Sequence, residues 1–402
     1  MLVLVGLVAV ALNLRTAVTS LGVLLPEVAR HWGMSGLLAG VLTALPVLVF
    51  GAVGALAPAL VGLLGPERAV SLAMLAAAAG LAARAVAETV GLFVAATGCA
   101  LAGAAVGNVL MPALVTRWFP ARIGAATALC TTALAVGMAG GAALTGPAGA
   151  LLDGGWRAGL GVWAALALAA VPPWLLIASR PPRRHPATTG PTGAAEAGVP
   201  PGGIAEPVPV WRVPSARALL VFFGCQSLNA YVVLGWLPSM LADAGWDPAA
   251  AGLPLALVGA MSVPMSILLP ALAARRADQR GLVTLTTGSY ALGYLALWAA
   301  VAVPPAAAGL GWAGAALLGA GNGAFPLAIT LIGLRSRGAD VIAALSGFVQ
   351  GGGYLLAASG PVVIGLLHQL TDGWPVPLAA VLGTLVVQQL SGRRAARPGT
   401  VG

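Results

Sequence analysis

Charge is scarce in this 402-residue chain: only 8% of its residues are Asp, Glu, Lys or Arg, against about 25% in a soluble domain. A water-facing surface cannot be assembled from so few charges, which excludes an ordinary soluble fold. Lysine is absent altogether, and all twenty basic residues are arginine. No Walker-type lysine loop exists, so drive by ATP is not supported. The three cysteines, Cys99, Cys130 and Cys225, each lie inside an apolar run without a CxxC or metal-ligand spacing, and are expected to be small core residues. With three histidines and no clustered carboxylates, neither a metal site nor any other cofactor is expected. The net charge of +9 could attract nucleic acid, but the arginines fall in the connections between apolar runs, so no nucleic-acid partner is expected.

What is present in abundance is apolar sequence, 59% of the chain. Runs long enough to cross a bilayer core of about 30 Å recur from end to end. Punctuation by Gly, Pro and charge predicts twelve spans: 3–27, 36–60, 69–87, 90–115, 122–150 and 157–178, then 215–241, 249–272, 281–302, 307–334, 340–367 and 376–391. In lipid the backbone must satisfy itself, so each span is expected to be a helix. Met1 opens directly into the first apolar run with no basic region before it and no cleavage site after it, which reads as a first span and not as a signal peptide.

The arginines orient the spans. With the N-terminus in the cytoplasm, 16 of the 20 fall in inner connections, and Arg30, Arg84 and Arg157 are expected in outer ones. Both termini then lie inside the inner (plasma) membrane of a bacterium. Residues 179–213, rich in Pro, Gly and Thr and carrying Arg180, Arg183 and Arg184, are expected to form a cytoplasmic linker. They divide an N-terminal six-helix bundle (1–178) from a C-terminal one (214–391), with a tail over 392–402.

The halves repeat. Gly107, Asn108 and Pro112 in the fourth span recur 214 residues on as Gly321, Asn322 and Pro326 in the tenth, and Gly146-Pro147 recurs at the same offset as Gly360-Pro361. Pro26 and Pro238, Pro58 and Pro270, and Arg68 and Arg280 are each 212 apart. Six spans per half give both halves the same orientation, a parallel duplication about an axis normal to the membrane.

Several segments resemble the cyanate porter family of the major facilitator superfamily, which includes cyanate transporters and a 2-nitroimidazole exporter. They are Leu12-Asn13-Leu14-Arg15-Thr16-Ala17-Val18-Thr19-Ser20-Leu21-Gly22; Gly107-Asn108 through Pro112-Ala113-Leu114; Gln226-Ser227 with Trp236-Leu237-Pro238; Phe325 through Arg335; and Ser346 through Gln350 with Tyr354. The likeness covers nearly the whole chain outside 179–213. It implies an all-α membrane protein, twelve helices in two parallel-repeat bundles, that moves a small solute by alternating access and is not an enzyme. One segment departs. Gly65-Pro66-Glu67-Arg68 stands where the superfamily usually carries a Gly-x-x-x-Asp-Arg gating pattern, so Arg68 is not expected to have a strong gating role.

Arg15 is the most informative single residue. It falls about thirteen residues into the first span, near mid-membrane at 1.5 Å per residue. A charge there is costly and by default functional. All eleven acids lie in connections or at span ends, so no counter-ion sits at its depth. Snorkelling or a bond to backbone carbonyls would explain it structurally; an anionic substrate would supply the missing charge. Asn13, Thr16 and Thr19 offer polar groups on the same helix, with Ser20 close by. Asn108 and Asn322 are duplicated mid-span amides. Gln226, Asn229 and Trp236 in the seventh span, and Gln350 and Tyr354 in the eleventh, complete the expected substrate-binding set. Helix packing is the competing explanation for every one of them. Arg117 and Arg335, at the inner ends of the fourth and tenth spans, are expected at an inner gate or as positive-inside anchors.

The expected partners are a small-molecule substrate and the lipid bilayer, with the chain acting as a monomer. A small anion is the first expectation for the substrate and a nitroimidazole-like drug the alternative. A membrane-embedded enzyme or sensor would need paired acids, a His cluster or an added domain.

Overall fold

The computed structural model describes residues 2–119, 122–179, 210–247, 250–303, 307–336 and 339–399. Most of the expected linker, with Arg180, Arg183 and Arg184, lies outside the described residues, as does Arg337. The described residues form helices α1 (Leu2–Trp32), α2 (Gly36–Leu64), α3 (Pro66–Ala85), α4 (Val90–Trp118), α5 (Ile123–Leu151), α6 (Gly155–Ala169) and α7 (Val171–Ala178). A 3-10 turn at Val210–Arg212 leads into α8 (Pro214–Asp243), α9 (Leu253–Ala274), α10 (Arg280–Ala302), α11 (Ala307–Gly321), α12 (Ala324–Arg335), α13 (Ala339–Thr371) and α14 (Pro375–Ala395). Twelve spans among them are long and apolar enough to cross a membrane. Large apolar side chains stand exposed in rows, as on α10, where Leu285, Leu292 and Leu295 are 50–58% accessible. Such rows are stable only against lipid.

Two spans are broken, each for a local reason. The sixth parts between α6 and α7, where Pro172 and Pro173 enter the first turn of α7 and remove two backbone donors. The tenth parts at Asn322-Gly323, and the Phe325 and Leu327 amides close the new turn onto the Asn322 and Gly323 carbonyls.

Side-chain contacts show which helix ends lie together. Trp32, Phe93 and Trp156 join the end of α1 to the starts of α4 and α6 with ring centroids 5.0–6.0 Å apart. Asp243, His368 and Trp374 join the ends of α8 and α13 to the start of α14. We call this the distal end. At the opposite, terminal end Arg117 pairs with Glu67, and the Arg335 guanidinium reaches the last carbonyls of α14.

Helices α1–α7 pack mainly on one another, and so do α8–α14. The two bundles meet along a seam of α1 on α8, α2 on α13 and α5 on α9. The seam lies toward the distal end and is made by glycines whose helices approach to backbone contact. A Cβ on Gly22 would sit 2.2 Å from the Leu234 carbonyl oxygen, one on Gly36 2.4 Å from that of Gly365, and one on Gly252 2.2 Å from that of Ala142. Small residues of this kind give membrane helices their closest packing. Helices α4 and α12 take no substantial part in the seam.

Candidate substrate site

Along α1, the residues with accessible surface facing one way are Val5, Val8, Leu12 and Arg15, a stripe at helical spacing. It ends at Arg15, for every residue from Thr16 to Leu25 is buried. Gly22, seven residues on and therefore on the same face, is the seam contact with α8. Arg15 thus faces the second bundle about 10 Å from the Gly22 contact, at the closed head of a stripe that runs open toward the terminal end. The ion pairs among the described residues join Arg117 to Glu67, Arg280 to Asp278 and His368 to Asp243. Arg15 is in none of them, and its guanidinium makes no hydrogen bond to a described residue.

Across the interface Tyr354 of α13 lies close enough to Arg15 and to Tyr231 for electrostatic interaction with both. Its ring meets Phe223 of α8 edge-on at 5.1 Å, and Phe223 in turn meets Phe325 of α12 at 5.8 Å. Gln350, one turn before Tyr354, donates to the Ser346 hydroxyl at 2.6 Å, so Ser346, Gln350 and Tyr354 share a face of α13. On α4, Gly107 packs against Leu14 and Val10 of α1, which sets Asn108 near the depth of Arg15. Asn108 is exposed and unbonded among the described residues. Of the expected substrate-binding set, Arg15, Asn108, Gln350 and Tyr354 therefore keep accessible surface, as does Asn322 in the tenth span.

The other expected residues donate their hydrogen bonds elsewhere, while the Asn13, Gln226 and Asn229 side-chain oxygens are buried without a partner among the described residues. Asn13 donates to the Ala9 and Leu166 carbonyls, which ties α1 to α6. Thr16 donates to Leu12 and to Gly137 of α5. Thr19 bonds back to the Arg15 carbonyl and packs against Gly141. All three are buried, because α1 sits inside its bundle and only one narrow face is free. Asn229 donates to Thr384 and Gln388 of α14 and receives the Tyr294 hydroxyl on its carbonyl, all within the second bundle. Gln226 is fully buried and donates to Ser227. Trp236 donates to the Pro361 carbonyl and packs with His368 and Trp374 at the distal end, away from Arg15.

The duplicated asparagines part company: Asn322 accepts from Tyr290 and donates to Ser262, so it joins α9 and α10 at the break in the tenth span. The paired arginines differ too. Arg117 is exposed and lies 3.6 Å from Glu67. Arg335 is buried and clamps Gln279 and the Ala395 and Ala396 carbonyls. Glu67 and Gln279 are themselves 212 residues apart, so the repeat keeps the arrangement and changes its charge. In both, the arginine's hydrogen bonds or ion pair stay inside its own bundle.

Arg84 corrects an expectation. It lies inside α3, fully buried, not in an outer connection. Its Nη1 donates to the Ala17 carbonyl at 3.1 Å and its Nη2 to the Ser20 hydroxyl at 2.8 Å, one helical turn beyond Arg15. Its position within the apolar run 69–87 was the available signal. At the distal end Glu27 and Arg30 face Asp243 across a cavity of about 190 Å³ between α1 and α8. Among the described residues no three His, Cys, Asp or Glu side chains group as a metal site.

Two six-span bundles, closed on each other at one end over an unpaired cation, define a membrane transporter of small solutes. The chain belongs to the Major Facilitator Superfamily, whose sequence profile it matches over residues 7–361. It is 32% identical to the 2-nitroimidazole transporter of Escherichia coli (strain K12), over 94% of this chain and 90% of that one. It is 29% identical to the cyanate transport protein of the same organism, over 96% and 95%. In fold it resembles a nucleoside transporter crystal structure, with a TM-score of 0.76 at 13% identity over 97% of this chain and 98% of that one. These relatives are transporters and not enzymes, as the family resemblance implied.

Proposed function

We propose that this chain carries a small anion by alternating access, with Arg15 as the group that holds the anion's charge. The observation behind this is the half-buried Arg15 guanidinium, which faces the other bundle without a carboxylate or hydrogen-bond partner among the described residues. A guanidinium does not shed its proton to relieve that cost. A carboxylate or similar oxyanion relieves it with two parallel N–H···O bonds. Because Arg15 belongs to one bundle and Tyr354 to the other, a bound anion would favour their approach and help carry the molecule between its two open states.

The arginine distribution supports cytoplasmic termini in a bacterial inner membrane. In that orientation the closed distal seam makes the present conformation inward-facing. Asn108, Gln350 and Tyr354 are the neighbouring groups we place beside the anion, with Arg117 at the inner mouth. We take the chain to act as a monomer without nucleic acid, its two bundles divided at the 179–213 linker. Cyanate-like and small organic anions are the first substrates to test. A neutral nitroimidazole-like drug is the second reading, favoured by the relative named for 2-nitroimidazole and by the rings around Tyr354.

Uptake by the purified chain in vesicles, wild type against Arg15→Ala, separates the two. Loss of a charge-assisted pair costs about 1.5–3 kcal/mol, so anion affinity should fall roughly 10- to 150-fold. Uptake of every tested anion at the wild-type rate would rule out the anion reading and leave the drug reading standing.

A further inference from the structure

We infer that the anion held at Arg15 is flat and aromatic, an arenecarboxylate or a heteroaromatic acid, and not merely small. The inference rests on the proposed role of Arg15 and adds to it the chemistry of the opposite wall. The chain has seven Phe and four Tyr in 402 residues. Three of these eleven, Phe223, Phe325 and Tyr354, form one ring-to-ring cluster on three different helices of the second bundle, and Tyr231 lies beside Tyr354. Tyr354 is also the group of that cluster in electrostatic reach of Arg15.

The cluster is not wholly spent on packing. Phe223 is fully buried, but Tyr354 keeps a minor accessible surface and Phe325 is 36% accessible. Phe223 meets Tyr354 at an interplanar angle of 80°, one ring presenting its edge to the face of the other. Aromatic rings carry negative faces and positive edges, so they select a planar guest over a puckered one of equal size. A cation at the head of the stripe and a partly accessible aromatic cluster reached through Tyr354 match a molecule with a carboxylate at one end and a flat ring at the other. A linear inorganic anion would satisfy the cation and leave the rings without a partner.

The test is binding to the purified chain, read by calorimetry, with four probes: benzoate, cyclohexanecarboxylate, benzyl alcohol and cyanate. Benzoate should bind about 2- to 10-fold tighter than cyclohexanecarboxylate, the range expected for an aromatic contact beyond buried area. Phe325→Leu, at an accessible position, should erase that preference, with an unchanged thermal midpoint showing that it folds. Arg15→Gln should weaken both carboxylates alike, and benzyl alcohol should bind weakest. Equal binding of the two carboxylates, with Arg15 still required, would overturn the aromatic inference and leave the anion reading intact. Binding of cyanate without benzoate would do the same. Carboxylate binding that ignores Arg15→Gln would overturn both.

Discussion

Gly22→Ala places a methyl carbon where the second bundle already has backbone. The new Cβ would lie 2.2 Å from the Leu234 carbonyl oxygen, and a carbon rests against such an oxygen at about 3.3–3.6 Å. Helices α1 and α8 must therefore separate by about 1 Å at the seam whenever the distal end is closed. Overpacking of this kind costs about 1–3 kcal/mol. The gain in helix propensity from Ala over Gly, up to about 1 kcal/mol, acts in both conformations because α1 stays helical, so it cancels. The closed-distal population should then fall by a factor of about 5–150 against the alternative opening. Spin labels at Val86 and Val376, exposed at the distal ends of the two bundles, report this separation once Cys99, Cys130 and Cys225 are replaced. Gly98→Ala is the control, for nothing lies within 4 Å of its would-be Cβ. A wider distance distribution for Gly22→Ala alone is expected. Distributions that match those of Gly98→Ala would refute the claim that glycine contacts hold the distal end shut.

Arg84→Ala should lower the thermal midpoint, at a cost of about 2–5 kcal/mol from lost hydrogen bonds and an unfilled space, and Arg84→Lys should recover part of it. An unchanged midpoint for the alanine variant would mean that the clamp on Ala17 and Ser20 contributes nothing. Asn322→Leu leaves the Tyr290 and Ser262 hydroxyls short of a partner and should cost about 1–3 kcal/mol, whereas Asn108→Leu should leave stability unchanged and alter transport. Equal losses of stability from both would contradict the division of roles between the duplicated asparagines. Hydrogen bonds from Arg280 hold the Asp278 carboxyl down to about 2. Its contribution is present above the unfolded value near 4 and is lost as pH falls through about 2. Carboxyl NMR should find that pKa raised in Arg280→Gln, and a pKa that did not move would remove Arg280 as the cause.

Much of this molecule is a one-dimensional property of its chain. Span number and helicity follow from runs of apolar residues and from a solvent that cannot hydrogen-bond the backbone. Arg15 stood out because depth along a helix is counted in residues, and so did the absence of an acid at that depth. Rotation and neighbours are not counted that way. Asn13, Thr16 and Thr19 surround Arg15 in sequence, yet their hydroxyls and amide go to carbonyls of their own helix and of α5 and α6. Asn108 and Asn322 match at a 214-residue offset, yet only one meets a tyrosine, since Tyr290 exists in α10 and its counterpart region of α3 holds alanine and glycine. Arg84 looked like an outer-connection charge until α1 supplied Ser20 and a carbonyl beside it. Hydropathy, the 214-residue offset and residue depth are enough to give a chain that crosses a membrane in duplicated halves with a lone cation in its first span. Tertiary packing decided which side chains remain free to meet a solute, because hydrogen-bond partners come from helices far apart in the chain.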